Sequence, residues 1–183
     1  MSMNIDEIIR YRRSHFVKEF NGDSVPDELV ALMIENASWA PSHKLTMPWK
    51  LKVFKGEFKN DLCSKMETYY EQFTPQEKFS LAKLEKIRTY KHKVSHIISI
   101  GFKPSGQVPE WEELAATAMA VQNMWLTLTE HPAAVGYWTS GNGTGSEWMK
   151  DATGLDAEDK QLGFFMLGMT EHKRTAAHRN FQP

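Results

Sequence analysis

The sequence predicts an α+β fold. Three observations carry that expectation: several stretches with helical apolar spacing, four short stretches rich in branched or aromatic residues, and no internal repeat or linker between them. A chain of 183 residues suits a single domain spanning 1–183. With 41% hydrophobic and 25% charged residues it can bury a core.

The elements follow in order. Ile5, Ile8 and Ile9 share one face of a first helix, which Asn4 and Glu7 can cap reciprocally. That helix ends in Arg12-Arg13-Ser14, and Asn21-Gly22-Asp23 then makes a turn. Pro26 suits the first position of a second helix, with Asp27 and Glu28 complementing its dipole. Leu29, Leu32, Met33 and Asn36 form its predicted inward stripe, and Pro41 ends it. Trp49, Leu51 and Val53 alternate with lysines, the period of a half-buried strand. Residues 57–93 read as helical. One stripe is Leu62, Met66, Tyr69, Tyr70 and Phe73; a further helix opens at Thr74-Pro75-Gln76-Glu77 with Phe79, Leu81 or Ala82, Leu84 and Ile87 inward. Residues 94–102 form a branched strand. Trp111, Leu114, Ala118, Val121, Trp125 and Leu128 recur at helical spacing among small alanines, which predicts a central helix or a dimer seam. Residues 135–139 form a strand running into a glycine-rich loop. Residues 147–152 form a short helix, residues 161–168 a last strand, and residues 169–183 a polar tail.

Composition narrows the function. The 22 basic and 23 acidic residues nearly cancel, so there is no global attraction to nucleic acid or anionic membrane. Cys63 is the lone cysteine, which allows no intrachain disulfide and fits a reducing, cytoplasmic setting. No run approaches the roughly 20 apolar residues of a membrane helix, and the first residues lack a signal-type stretch. The ten methionines and six tryptophans are read as core and interface fillers rather than metal ligands.

Three segments can carry chemistry. Arg12, Arg13 and Ser14 offer two fixed charges and a hydroxyl, the groups that grip a phosphate, although cations also suit any helix end. Ser42-His43-Lys44 stands between Pro41 and Pro48, which stiffen the loop and favour a preformed site over a surface connector. Trp138, Thr139 and Ser140 put an aromatic plane and two hydroxyls at a strand end, a common ligand position as well as an ordinary exit turn. The first two, with Trp49 at the end of the second, together suggest a phosphorylated, planar, aromatic cofactor. The spacing Gly141-x-Gly143-x-Gly145 matches neither a dinucleotide fingerprint nor a P-loop. His92 and His96 stand four apart without a further ligand, His172 and His178 lie in the tail, and no Gly-x-Ser-x-Gly elbow exists, so metal and serine-hydrolase readings are set aside. The lysine-rich run 78–93 is interrupted by Glu77 and Glu85 and reads as a solvated helix face rather than a nucleic-acid surface.

In order, Ile8-Ile9-x-x-Arg12-Arg13-Ser14, Pro26-Asp27-Glu28-Leu29, Asn36-Ala37-x-x-Ala40-Pro41-Ser42-His43, Pro48-Trp49, Trp111-x-x-x-Ala115, Gly136-Tyr137-Trp138-Thr139-Ser140-Gly141 and Leu162-Gly163-Phe164-x-x-Leu167-Gly168 resemble the nitroreductase family of FMN flavoproteins. The likeness runs over about residues 5–174 and is nearest to a short bacterial branch with an Ala-Pro-x-His-Lys loop. It implies a nitroreductase-like fold with a central mixed or antiparallel sheet flanked by helices, in an intertwined homodimer with FMN at the interface. It implies that Arg12, Arg13 and Ser14 hold the FMN phosphate and ribityl chain, that His43 comes from the partner subunit, and that Trp138, Thr139 and Ser140 line the flavin ring. Arg174 would add to the phosphate cluster. Three positions depart from the pattern. His15-Phe16-Val17-Lys18 stands where another base is usual, Trp39 offers stacking where the branch can carry Arg, and Thr139 stands where a related branch has Arg. Fewer cations at the ring should stabilise an anionic reduced flavin less. The expected activity is NAD(P)H-dependent reduction of nitroaromatic, quinone or similar flat small-molecule acceptors by a ping-pong route, with no catalytic protein nucleophile and no metal. The alternative is a flavin-binding protein without turnover.

Overall fold

The computed structural model describes residues 3–141 and 143–173. Its helices are α1 (Ile5–Tyr11), α2 (Asp27–Ala37), α3 (Gly56–Phe73), α4 (Leu81–Arg88), α5 (Tyr90–Lys93), α6 (Glu110–Glu130) and α7 (Glu147–Thr153). Its strands are β1 (Trp49–Phe54), β2 (His96–Phe102), β3 (Ala134–Thr139) and β4 (Lys160–Met169). The strands form one wholly antiparallel sheet in the order β1-β2-β4-β3. The fold is α+β, as the sequence predicts.

The sheet is covered on both sides, and the coverage decides which strands alternate. One face carries Ile97, Val135, Phe164 and Met166 against Leu62, Cys63, Met66 and Tyr70 of α3, Leu84 and Ile87 of α4, and Met149 of α7. The other carries Ile98, Ile100, Phe165 and Leu167 against Val30, Met33 and Ala37 of α2 and Ala120, Val121, Met124 and Leu128 of α6. All seven residues of β2 are therefore buried, which accounts for a run too apolar to alternate. β1, at one sheet edge, keeps two exposed positions, and β4 one, at Lys160 where the strand starts.

Local rules set the helix ends. Asn4 and Glu7 form the expected capping box, with Glu7 N–H donating to Asn4 Oδ1 at 3.0 Å and Asn4 N–H to Glu7 Oε2 at 2.8 Å. Pro26 caps α2 from just outside, so the helix starts one residue later than predicted. The helix predicted to open at 74–77 is one 3-10 turn, Gln76–Lys78; α4 starts only at Leu81, where Ser80 accepts from Lys83 N–H. Ser80 N–H in turn donates to Tyr70 Oη at 2.8 Å, and this tie explains where the restart falls.

Three predicted stripes are displaced. In α2 the buried positions are Val30, Met33 and Ala37, while Leu32 is exposed: the face is turned by about one residue. In α6 the buried face comprises Ala116, Ala120, Val121, Met124, Trp125 and Leu128, whereas Trp111 and Leu114 near its start are exposed. In α1, Ile5 and Ile9 are exposed; among the described residues the main partner of this helix is α6. The α2–α6 contact is close, and polar ties fix its register: Asn36 Nδ2 donates to Thr127 Oγ1 at 2.9 Å and Asn123 Nδ2 to Asn36 O at 3.1 Å. Among the described residues, no helix is long and apolar enough to cross a membrane.

Candidate active site

The end of α1 delivers the arginine segment to the sheet. Arg12 N–H closes the helix on Ile8 O at 2.9 Å, and the chain then turns extended. Ser14 pairs in parallel with Gly136 of β3, and His15 N–H donates to Gly136 O at 3.1 Å. Arg12, Arg13 and Ser14 therefore lie along the strand that ends in Trp138 and Thr139. The Arg12 guanidinium sits 4.6 Å from the centroid of the Trp125 ring, a cation–π contact with α6. Arg13 Nη1 donates to Arg10 O at 2.6 Å and to Arg12 O at 2.7 Å, which folds its side chain back over the helix end.

Arg13, His15 and Lys173 line a cavity of about 280 Å³ between the last turns of α6 and the start of β3, with Trp125, Leu128 and Val135 as apolar walls. Sequence reasoning missed Lys173. Its Nζ donates to Thr129 O at 3.1 Å and to His131 O, so it caps the carbonyl end of α6. Burial lowers its pKa. Burial, then the nearby Lys173, also lowers that of His131, whose Nδ1 accepts from the backbone N–H of Ala133 and Ala134. For Lys173, its place in the tail next to Arg174 was the one available signal. Arg174 itself lies outside the described residues.

At the far end of β3 the predicted trio divides across the sheet. The half-buried Trp138 indole packs on the α2–α6 side, its Nε1 donating to Leu162 O at 3.3 Å. Thr139 and Ser140 border a recess of about 240 Å³ on the other side, with Lys83, Lys86 and Tyr137. Thr139 Oγ1 accepts from Gly141 N–H at 3.1 Å. Directly beneath them is Gly163 at φ +118, and a β-carbon there would collide with Thr139 O. The backbone at the strand end is thus packed as closely as a glycine allows.

The histidine loop is held in a strained form. Lys44, Leu45 and Met47 have φ of 54, 54 and 42, left-handed values that cost about 1–2 kcal/mol each in a non-glycine residue. Polar ties hold it: Met47 N–H donates to Ser42 Oγ at 2.9 Å, and Lys44 Nζ to Gln107 O at 3.1 Å. His43 Nδ1 lies 2.5 Å from Glu112 Oε2. The loop is thus tied down at several points, although His43 itself is exposed. Trp39 is 78% exposed just beyond α2.

One chain does not assemble all these residues. Glu112, beside His43, is in the first turn of α6, and Trp125, beside Arg12, is in its last third. At about 1.5 Å of rise per residue the two lie about 20 Å apart. Arg12, Arg13, Ser14, Trp138, Thr139 and Ser140 are brought to one strand, while His43 stands at the other end of the central helix. His92 and His96 do not form a helical pair. His92 is in α5 and His96 in β2, where its Nδ1 lies 2.8 Å from Ser95 Oγ and its Nε2 3.0 Å from Asp27 Oδ1.

Known proteins similar to this chain agree with the likeness in its sequence. YfhC of Bacillus subtilis, a provisionally named NAD(P)H nitroreductase, is 24% identical over 182 residues, covering 96% of this chain and 91% of its own. YdjA of Escherichia coli K12, named in the same way, is 27% identical over 140 residues, covering 75% and 74%. Among solved structures, a nitroreductase-like family protein from Bacillus cereus superposes with a TM-score of 0.81 at 25% identity, over 98% of this chain and 92% of that one. NfnB of Mycobacterium smegmatis, an FMN-dependent nitroreductase solved with NADPH, has the same fold at a TM-score of 0.71 and 16% identity, over 91% and 87%. The nitroreductase family model matches residues 9–169, which takes in every element from the end of α1 to the end of β4. The chain belongs to the nitroreductase family, a family of oxidoreductases.

Proposed function

We propose that this protein is an FMN-dependent NAD(P)H oxidoreductase that reduces nitroaromatic, quinone or similar flat acceptors. The observation that carries the reading is the Ser14–Gly136 pairing, which lays two arginines and a hydroxyl along the strand leading to Trp138, Thr139 and Ser140. The donor set suits a phosphate monoester: Arg12, Arg13 and Ser14, with Lys173 using two of its three N–H groups on α6 carbonyls. When bound, FMN supplies the redox chemistry, accepting a hydride and passing it on. The chain's own residues bind and orient. Arg12, Arg13 and Ser14 would hold the phosphate and ribityl end, and the strand end at 138–140 would line the ring with its edge, Trp138 on one side of the sheet and Thr139 and Ser140 on the other. An open slot over the ring would take the reduced nicotinamide and the acceptor in turn, which is ping-pong kinetics.

His43 would reach this site from a second copy of the chain, since its own α6 holds it about 20 Å from Trp125. Exposed apolar side chains on the contacting α1, α6 and histidine turn (Ile5, Ile9, Trp111, Leu114, Leu45 and Met47) support a homodimer across that surface. Trp39 would then be available for stacking. We place the enzyme in the cytoplasm, on the lone buried Cys63, with no nucleic-acid or membrane partner.

The test is direct. The purified protein should be yellow, release a cofactor with the mass of FMN, scatter light as a dimer, and bleach when mixed anaerobically with NADH or NADPH. A colourless monomer that ignores added riboflavin 5′-phosphate would contradict the reading.

A further inference from the structure

The recess beside the end of β3 shares Thr139 and Ser140 with the reading above, but the rest of its lining is not used there. Its floor is apolar, with Met66, Ile87 and Met166 buried, and Tyr90 and Tyr137 form an aromatic wall. Its rim carries Lys83, Lys86, Thr139 and Ser140. The two lysines stand three apart on α4 and so share a helical face. Each is poised over an aromatic ring: Lys83 Nζ is 5.2 Å from the Tyr70 centroid and Lys86 Nζ 5.9 Å from that of Tyr137.

Neither lysine has a carboxylate partner among the described residues, and the surrounding ion pairs show why. Arg88, one turn further along α4, gathers Glu67, Glu71 and Glu85 at 2.6, 2.9 and 2.7 Å. Lys91 shares Glu67 at 3.5 Å. The acids on this side of α3 and α4 are therefore committed away from the recess. What remains is a pair of uncompensated cations and two hydroxyls over an apolar, aromatic floor.

That combination selects a ligand with an anionic head and a flat apolar body. A compact inorganic anion would gain nothing from the floor, and a neutral ring nothing from the lysines. A volume of about 240 Å³ lies below the roughly 300 Å³ at which pockets for drug-sized molecules begin, so it suits one ring and its head group. We infer that the recess binds an aromatic carboxylate, its carboxylate between Lys83 and Lys86 and its ring against Tyr137 and Met166, and that acidic flat acceptors dock there. The docking role rests on the redox site being at 138–140; the binding itself does not.

Calorimetric titration of the purified protein with benzoate and with benzamide, its neutral counterpart, tests this. At low salt benzoate should bind roughly five- to tenfold more tightly, and high salt should erode the preference. Lys83→Gln with Lys86→Gln should abolish it, Lys83→Arg with Lys86→Arg should keep it, and thermal melts should show all three proteins folded. Equal binding of the two probes, or a preference that survives the double glutamine change, would overturn the proposal. So would a double change that raises the KM for NADPH but not NADH while benzoate still binds, since the recess would then serve the coenzyme phosphate. A colourless protein that still prefers benzoate would retain the receptor and refute the flavin reading instead.

Discussion

Gly163→Ala is the sharpest test of how the site backbone is held. Gly163 sits in β4 at φ +118, beside the Thr139–Phe164 pair of the β3–β4 ladder. A β-carbon there would overlap Thr139 O and lie 2.8 Å from Ser140 Cα and 2.9 Å from Thr139 C. Two costs add. Holding a non-glycine residue in that conformation costs about 1–3 kcal/mol. Moving the strand end out of the way costs about 1–3 kcal/mol more, as overpacking does elsewhere. The total, about 2–6 kcal/mol, is a large part of the roughly 5–15 kcal/mol that keeps a protein folded. At about 2–4 °C per kcal/mol for this chain length, the melting temperature should fall by at least about 4 °C and more typically about 12 °C. Gly145→Ala is the comparator. Its φ is +83, but a β-carbon there meets nothing within 4 Å, so only the backbone cost of about 1–2 kcal/mol applies. Thermal and urea unfolding followed by circular dichroism, with flavin content measured in parallel, separates the two. A Gly163→Ala protein that melts no lower than Gly145→Ala would refute the close-approach argument.

Four further outcomes are expected. Arg12→Ala with Arg13→Ala should abolish FMN retention on gel filtration; a double variant that stays yellow at full stoichiometry would remove the phosphate role. Lys50→Met should destabilise by about 3 kcal/mol, because it strips Asp159, a fully buried carboxylate, of the Nζ 2.8 Å away; a urea midpoint unchanged from the parent would contradict this. Burial alone would raise the Asp159 pKa, but the bonds from Lys50 and from Asp156 N–H hold it below the usual 3.8. Its stabilising effect is thus present above about pH 4 and is lost as pH falls through the folded value. Without Lys50 the sign reverses, so the stability deficit of Lys50→Met should shrink between pH 7 and pH 4; a constant deficit would argue against it. Cys63 is buried and, chiefly through that burial, its thiol is pushed up to about 11, so a disulfide reagent at pH 8 should label it only after denaturation.

Much of the fold was readable because local rules and burial agreed. The Asn4–Glu7 capping box, the alternation around Trp49 and the apolar run 96–102 all lead to the observed elements. Faces were harder to read than elements. Leu32 and Val30 are both apolar, and only their tertiary surroundings, the sheet face and α6, decide that Val30 is buried. The restart of α4 at Leu81 depends on Tyr70 receiving Ser80 N–H, a contact between segments that no window of sequence contains. In the site, the proximity of Arg12, Arg13 and Ser14 to Trp138, Thr139 and Ser140 comes from the Ser14–Gly136 bridge across 122 residues of chain. Lys173 and Lys83 were invisible for the same reason: a lone lysine in a polar tail, or one among many on a helix, declares itself only through its neighbours.

The strand order has a consequence for how the molecule is made. β4, the last of the described strands to leave the ribosome, is the one that inserts between β2 and β3. Until it arrives, the β1–β2 pair and β3 have no hydrogen-bonded connection, and β2, whose residues are all buried in the finished sheet, presents an open flank on which other chains can template. Completion of the sheet is therefore a late, long-range event, slow by the usual dependence on contact separation. A transcript interrupted between codons 140 and 159 should yield a chain carrying two unjoined pieces of sheet rather than a smaller version of the protein, and cells expressing it should direct the product to chaperones or inclusion bodies.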